Sequence, residues 1–130
     1  MQPTTVTVPT RFQDFDVFNH VNNVAFFALM ETARVEIVRS ALPKSLRGRL
    51  MVRHAACDYE GEIRGGVRSV DITISVEKIG TSSFTLLHEI RAEGTLVGRG
   101  RVVMVALDDE RRGSRPLTDE ERAGLDTHAG

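Results

Sequence analysis

The sequence predicts an α+β fold in which one curved antiparallel sheet of about five strands wraps around one long helix. Three observations predict it: a single long helical pattern near the start of the chain, several strand-like segments, and short turns between the later segments. A helix of about 20 residues is roughly 30 Å long, which matches the sheet that it must cover. Because 130 residues are the size of an ordinary domain, we expect one domain over residues 1–130.

The helix is predicted over residues 22–41. Apolar residues recur there at spacings of three and four, as on one buried helical face; they are Phe26, Leu29, Met30, Ala33, Ile37 and Ala41. Pro43 ends the helix. Glu31 and Arg34 stand three residues apart, and we expect an ion pair between them on the helix surface. Alternatively, one of them packs against a functional site across a subunit interface.

Five segments predict strands, and they cover residues 4–12, 50–59, 67–79, 83–93 and 95–107. In the third, Val70, Ile72, Ile74 and Val76 alternate with polar residues, which predicts one buried face and one wet face. The end of the fifth is apolar on both faces, as in a central strand. Strands joined by short turns are expected to be antiparallel neighbours. A short helix is expected over 116–124, capped by Thr118 or Asp119.

The predicted sheet has one covered face and open edges. Exposed strand edges invite pairing with another chain. We therefore expect at least a homodimer with its sheets joined edge to edge, and a homotetramer is the alternative.

The composition argues against several partner classes. The chain has 17 basic and 18 acidic side chains and a net charge of −1, which gives no reason to expect nucleic acid or a membrane surface as a partner. A single cysteine, Cys57, allows no intramolecular disulfide, and we expect it to be structural. With no signal-peptide pattern at the start, this indicates a cytoplasmic protein.

The most informative stretch of the sequence spans residues 11–31. It places Asp14, Asp16, His20, Asn22 and Asn23 directly ahead of the predicted helix. Unpaired N–H groups and the positive end of the helix dipole can polarise a carbonyl oxygen beside an acid, as acyl-transfer chemistry needs. Asp and Asn are also favoured at these positions simply because they cap a helix and its loop. The residues alone leave both interpretations open.

This pattern resembles the hotdog-fold acyl-CoA thioesterases of the 4-hydroxybenzoyl-CoA thioesterase family. The residues that carry the resemblance match R-x-x-D-x-D-x-x-G-H-V-N-N, with E and R following on the helix; they are Arg11, Asp14, Asp16, His20, Val21, Asn22, Asn23, Glu31 and Arg34. Later matches are CDYEGE, IGTSS and the segment that begins RVVMVALDDE. Asn19 departs from the pattern, where the family usually has Gly. Because Asn tolerates left-handed backbone best after Gly, we expect the turn to survive.

The resemblance implies catalytic roles for Asp16, His20 and Asn23. Asp16 would attack the thioester carbonyl or activate the water that attacks, and the sequence does not separate the two. Backbone N–H groups near Asn22 and Asn23 would hold the oxyanion, and the Asn23 amide would polarise the carbonyl. His20 would orient water or a carboxylate, or donate to the carbonyl. Asp14 is expected to brace the loop with Arg11 or a backbone amide.

Substrate-binding candidates are Asn22, Thr81, Ser82 and Ser83. For Asn22 we expect loop ordering before substrate contact. The segment from Gly80 to Ser83 would contact pantetheine or phosphate of coenzyme A, although a hairpin turn explains it equally well. Basic candidates for the phosphates are Arg47, Arg49, Arg53 and Arg64, for which surface solvation is the alternative. Candidates to line an acyl pocket, with core packing as their default role, are Phe18, Val24, Phe26, Phe27 and Met51.

No metal or other cofactor is expected. The Asp14-x-Asp16 pair fails the calcium-loop pattern at three positions, and histidines 20, 54, 88 and 128 show no ligand spacing. His88 is expected to be a satisfied core residue. The implied function is hydrolysis of an acyl-CoA, or of an acyl-carrier-protein thioester, to the free acid. A non-catalytic acyl-CoA or acyl-carrier binding module is the alternative, followed by a hydratase or dehydratase that would use His20.

Overall fold

One antiparallel sheet packs against one long helix in the computed structural model, which describes residues 1–126. The elements in chain order are β1 (Thr4–Pro9), α1 (Asn23–Ser40), β2 (Leu50–Tyr59), β3 (Ser69–Ile79), β4 (Ser83–Ala92), β5 (Thr95–Ala106) and α2 (Asp119–Leu125). Single 3₁₀ turns cover Phe12–Asp14 and Lys44–Leu46. The predicted α+β class, with a curved sheet and a central helix, is confirmed.

The order of strands across the sheet is β1-β3-β4-β5-β2, and every pairing is antiparallel. The expectation that β2 and β3 are neighbours is wrong, because β2 crosses to the far edge and pairs with β5. Residues 60–68, which connect β2 to β3, pass the start of α1, where the N–H of Val21 donates to the carbonyl of Ile63 at 2.8 Å. β4 is the middle strand, and β5 lies inside the sheet between β4 and β2, which confirms the prediction that β5 is not an edge strand.

The inner face of the sheet and one face of α1 form the core. Phe26, Met30 and Ile37 of α1 are buried, as the helical spacing predicts, together with alternate residues of β3. Gly100 of β5 lies directly under Met30, and a Cβ there would overlap the Met30 sulfur. The helix can therefore lie this close to the sheet only because position 100 has no side chain.

The outer face of the sheet carries ion pairs. Arg99 lies 3.0 Å from Glu60 and 3.8 Å from Glu89, and Arg101 lies 3.0 Å from Glu77. This face is polar and open, as the alternation along 67–79 predicts for a sheet covered on one side only.

The ends of the elements differ slightly from the predictions. β1 ends at Pro9 instead of continuing to Phe12, which begins a 3₁₀ turn and is 96% exposed. α1 begins one residue after its predicted start because Asn22 is the N-cap, its side chain accepting from the N–H of Ala25 at 2.9 Å. Thr118 caps α2, as one of the two predicted candidates.

Arg34 behaves differently from the prediction. No ion pair with Glu31 forms within the described residues; instead Arg34 is 8% exposed and its Nη1 lies 3.4 Å from Nε2 of His88 on β4. Nδ1 of His88 lies 3.2 Å from the carbonyl oxygen of Gly100, and His88 is fully buried, so the expected core role of His88 is confirmed.

Cys57 of β2 is partly buried. Burial, together with the nearby Asp58, raises the pKa of the Cys57 thiol to about 11. A thiol with such a pKa is a poor nucleophile at neutral pH, which supports the structural role expected for it. No helix within residues 1–126 is long and apolar enough to cross a membrane.

Candidate active site

The loop ahead of α1 is held by a buried carboxylate. Asp14 is 2% exposed; its Oδ2 accepts from the backbone N–H of Arg11 at 2.7 Å and its Oδ1 from Nη2 of Arg11 at 2.8 Å. The bond to Asp14 raises the pKa of Arg11. The carbonyl of Asp14 accepts from the N–H of Asn22 at 3.0 Å. These contacts confirm that Asp14 braces the loop.

Asp16 and His20 close a tight turn. The N–H of Asp16 donates to the carbonyl of His20 and the N–H of Asn19 to the carbonyl of Asp16, both at 3.0 Å. Asn19 has φ 61°, so the expected left-handed conformation is confirmed. Oδ1 of Asp16 accepts from the N–H of Phe18 at 2.9 Å, and Oδ2 lies 3.4 Å from Nδ1 of His20. One oxygen is thus fixed by the turn, while the other faces the imidazole and solvent.

The first turn of α1 keeps free donors beside this pair. Both ends of the Asn22 amide are used, Oδ1 for the N–H of Ala25 and Nδ2 for the carbonyl of Asp14 at 3.3 Å. Asn22 therefore orders the loop, and its assignment as a substrate-binding residue stays a prediction. The first N–H groups of a helix have no intrahelical acceptor. Asn23 is exposed, and its side-chain amide makes no hydrogen bond within residues 1–126.

Tyr59 connects the end of β2 to the start of α1. Its hydroxyl donates to the carbonyl of Asn23 at 3.0 Å, and its ring meets Phe26 edge to face with centroids 5.0 Å apart. Burial, with a smaller contribution from Cys57, raises the pKa of Tyr59. The sequence offered Tyr59 only as a family match. The structure shows that Tyr59 holds the backbone of Asn23, which is one of the residues expected to bind the oxyanion.

A polar cavity opens beside His20. It is open to solvent, has a volume of about 340 Å³ and is lined by Phe18, Asn19, His20, Glu62, Arg64 and Gly65. An isolated antiparallel bridge between His20 and Arg64 brings the two segments together. Sequence reasoning missed Glu62 altogether and did not place Arg64 at this site, because their proximity to His20 depends on the long connection after β2. The only local signal is the Gly65–Gly66 pair that follows.

Thr81, Ser82 and Ser83 lie far from Asp16 within one chain. They form the turn between β3 and β4, where the carbonyl of Thr81 accepts from Leu117 and that of Ser82 from Ala106, both at 2.9 Å. Ser83 pairs with Val105, near the end of β5, whereas the start of α1 lies over Gly98. The stretch of β5 from Gly98 to Val105 spans about 23 Å.

Ser82 contributes to a second, more basic cavity of about 370 Å³. Its lining residues are Met51, Arg53, Ser82, Val105, Leu107, Arg111, Arg112, Gly113 and Ser114. Of the other basic candidates, Arg49 pairs with Asp109 at 3.2 Å and Arg47 donates to the carbonyl of Val38 at 3.3 Å.

The pocket-lining candidates divide into two groups. Phe26 is buried in the core and Phe27 is partly buried against it. Phe18 is 77% exposed and Val24 78% exposed beside the loop and the start of α1, whereas Met51 is half exposed at the other end of β2. Only Phe18 and Val24 are therefore free to meet a substrate near Asp16 within one chain.

In the part of the chain that the structure describes, no three His, Cys, Asp or Glu side chains converge as metal ligands would. His128 lies outside the described residues. The expectation of a metal-free site stays a prediction.

A family model for the thioesterase-like superfamily matches residues 10–125, which include the loop, the helix and all the later strands. The chain belongs to the thioesterase-like superfamily. Membership confirms the resemblance and the hotdog fold, while the narrower 4-hydroxybenzoyl-CoA thioesterase assignment within this superfamily stays a prediction.

Several known proteins are similar to this chain over most of its length. The uncharacterised protein YsmA of Bacillus subtilis is 30% identical over 122 residues, covering 91% of this chain and 82% of YsmA. A predicted thioesterase from Bacillus stearothermophilus is 26% identical with a TM-score of 0.83, covering 95% of this chain and 93% of its own. A Thermus thermophilus thioesterase, whose structure contains coenzyme A and Zn, is 30% identical with a TM-score of 0.81, covering 93% and 90%.

Proposed function

We propose that this thioesterase-like protein hydrolyses an acyl-CoA to the free acid and coenzyme A, with Asp16 as its catalytic carboxylate. The observation that carries the proposal is the placement of Asp16. One carboxylate oxygen is fixed by the N–H of Phe18, and the other faces His20 and solvent beside the start of α1. Membership of the superfamily supports the reaction class.

The proposed chemistry uses the groups at the helix start in distinct roles. The thioester carbonyl oxygen would accept from N–H groups of the first turn and from the Asn23 amide, which hold the negative charge that develops on it. Asp16 would attack the carbonyl carbon, or take a proton from the water that attacks. In either case a C–O bond forms, the C–S bond breaks, and the thiolate leaves and is protonated to coenzyme A. His20 would orient water or Asp16.

Coenzyme A as the thiol part is supported by the Thermus thermophilus relative, which is 30% identical and binds it. The basic cavity at Ser82 offers this chain a place for the phosphates, since Arg53, Arg111 and Arg112 face it together with Ser82 and Ser114. Arginine suits phosphate because its planar donors match the phosphate oxygens. Thr81 and Ser83, on the same turn as Ser82, stay substrate-binding candidates.

A homodimer would bring this cavity to the site. Every residue of β2 is partly or fully exposed, and its outer edge is unpaired within the described residues. Two copies joined antiparallel through β2 would place the Met51 end of one strand opposite the Tyr59 end of the other. The basic cavity of one subunit would then lie beside Asp16 of its partner.

The test is thiol release from a panel of acyl-CoA thioesters by the wild type, Asp16→Asn and Glu36→Gln. Asn keeps the shape of the side chain and removes its charge, and we expect a loss of kcat of about 100-fold or more. Glu36 is exposed on α1, so Glu36→Gln controls for replacing a carboxylate by an amide. Equal activity in all three proteins would remove Asp16 from the mechanism.

A second candidate reaction follows from the distance of 3.4 Å between His20 and Asp16, because a hydratase also needs a His–carboxylate pair. An enoyl thioester in the same panel tests it, since hydration removes the conjugated double bond without releasing thiol. Binding of acyl-CoA with no change in any thioester would instead support a non-catalytic module. Acyl-carrier-protein thioesters complete the panel.

A further inference from the structure

We propose that Arg64 binds a carboxylate carried by the acyl group of the substrate, so that short acyl chains ending in a carboxylate are preferred over uncharged chains. The inference rests on the proposed thioester hydrolysis and identifies the class of acyl group. It uses the cavity beside His20, to which nothing in the hydrolysis itself assigns a ligand.

Arg64 is fixed next to the reacting groups by its backbone. Position 64 forms an isolated antiparallel bridge with His20, and the flanking N–H of Gly65 donates to the carbonyl of Asn19 at 2.7 Å. On the other side, the carbonyl of Ile63 accepts from the N–H of Val21. The turn that holds Asp16 and the segment that holds Arg64 therefore form one unit.

The guanidinium of Arg64 has no partner in the part of the chain that the structure describes. Within residues 1–126 it makes no ion pair, whereas Arg11 is occupied by Asp14 and Arg99 by Glu60 and Glu89. Among the six residues that line the cavity, Arg64 alone carries a permanent positive charge. A guanidinium forms two parallel hydrogen bonds with a carboxylate, which makes it specific as well as attractive.

The position and size of the cavity favour the acyl group as the source of the anion. At about 340 Å³ it lies near the lower end of small-ligand pockets, which suits a short chain. The phosphates of coenzyme A are separated from the thioester by the whole pantetheine arm, whereas this cavity adjoins His20 directly. Phe18 adds an apolar wall on which the methylene groups could pack.

Glu62 lines the same cavity and opposes the binding of an anion. It is exposed and forms no ion pair with Arg64 within the described residues. Because the cavity is open to water, the repulsion between Glu62 and a bound anion is screened. The direct hydrogen bonds that Arg64 would donate to the anion are screened less, so the attraction outweighs the repulsion. The two residues should therefore affect a charged substrate with opposite signs.

The experiment compares adipoyl-CoA with hexanoyl-CoA, which match in chain length and differ in the terminal carboxylate. We expect Arg64→Gln to raise KM for adipoyl-CoA about tenfold or more, with kcat and the hexanoyl-CoA reaction little changed. Glu62→Gln should lower KM for adipoyl-CoA only. Arg68→Gln is the control, since Arg68 is exposed nearby and does not line the cavity.

Two further measurements separate the possible failures. Adipoyl N-acetylcysteamine lacks all phosphates; if the Arg64→Gln effect vanishes with it, Arg64 binds a phosphate and the proposal is overturned. Equal effects on both acyl chains, or none, also overturn it while leaving hydrolysis intact. Calorimetry with a non-hydrolysable adipoyl-CoA thioether tests Arg64 even without turnover, and the expected result is weaker binding to Arg64→Gln than to the wild type.

Discussion

Nε2 of His88 on β4 lies 3.4 Å from Nη1 of Arg34 on α1, and both side chains are buried between helix and sheet. Arginine stays protonated at any ordinary pH, so Nε2 of His88 must accept and Nδ1 donates to the carbonyl of Gly100. Burial, and then the charge of Arg34, lower the pKa of His88 to about 4 from an ordinary value of 6.5. A neutral imidazole is thus built into the core.

This arrangement predicts loss of stability in mild acid. Below pH 6.5 the unfolded chain binds a proton at His88, whereas the folded protein does not bind it until about pH 4. The free energy of unfolding therefore decreases as the pH is lowered from about 6.5 to about 4. Over the whole window the loss is on the order of 3 kcal/mol. Denaturant unfolding of the wild type and His88→Gln at pH 7 and pH 4.5 measures it, and the slope with pH should be smaller in the variant. Equal slopes would contradict the prediction.

A second acid-sensitive contact holds α2 to the body of the protein. Glu121 is 1% exposed and accepts from Arg115 at 2.7 and 2.8 Å and from the Ser45 hydroxyl at 2.6 Å. The bond to Arg115 lowers the pKa of Glu121 to about 2 from 4.5. Its contribution to stability is therefore complete above about pH 4.5 and is lost as the pH falls towards 2.

We expect Glu121→Gln to cost about 2 to 3 kcal/mol of unfolding free energy at pH 7, because it leaves Arg115 without its carboxylate. Glu120→Gln on the same helix is the control, since Glu120 is exposed and should change stability by less than about 0.5 kcal/mol. Chemical denaturation of both variants decides the matter. Similar losses of unfolding free energy in the two variants would show that any replacement of an acid on α2 is destabilising, and that the contact with Arg115 is not the cause.

Asn19 and Gly65 should behave as a coupled pair. A Cβ at position 65 would overlap the side-chain amide of Asn19, so Gly65→Ala should displace the turn that holds Asp16. We expect lower thermal stability and a loss of thioesterase activity. Asn19→Gly removes the obstructing amide and keeps the left-handed conformation at φ 61°. The double variant should therefore regain most of both properties, and a double variant no better than Gly65→Ala alone would refute the coupling.

The proposed dimer makes a prediction about mixed subunits. If phosphates bind to the basic cavity of the partner, Asp16→Asn and an Arg111→Gln/Arg112→Gln variant carry their defects on different halves of one site. Co-refolding the two defective proteins should then give heterodimers with one intact site and more turnover than either parent protein. Sites formed within one chain would leave every heterodimer site defective, and the mixture would stay as inactive as its parts.

Much of the fold could be predicted because its signals are local. The spacing of Phe26, Leu29, Met30 and Ile37 predicts the buried face of α1, and the alternation through Ile72 and Ile74 predicts β3. The position of β2 in the sheet could not be predicted. Whether β2 pairs with β3 or with β5 depends on the path of residues 60–68, which connect β2 to β3. Local patterns do not contain that information.

The same limit applies to the candidate site. Asp14, Asp16 and Asn22 act within one short loop, so spacing and capping preferences suffice to place them. Glu62 and Arg64 reach the site through a long-range bridge to His20, and Arg34 turns towards His88 on a distant strand. In both cases the partner lies far along the sequence, and no periodicity marks it.

The crossing of β2 to the far edge also has a kinetic consequence. β3, β4 and β5 can form from hairpins whose partners are close in sequence, whereas β2 must wait for β5 to be made before it has an edge to join. Closing such large loops is slow, so β2 should dock late. In pulsed hydrogen exchange during refolding, amides of β2 should be protected after those of β4, and earlier protection of β2 would exclude this order.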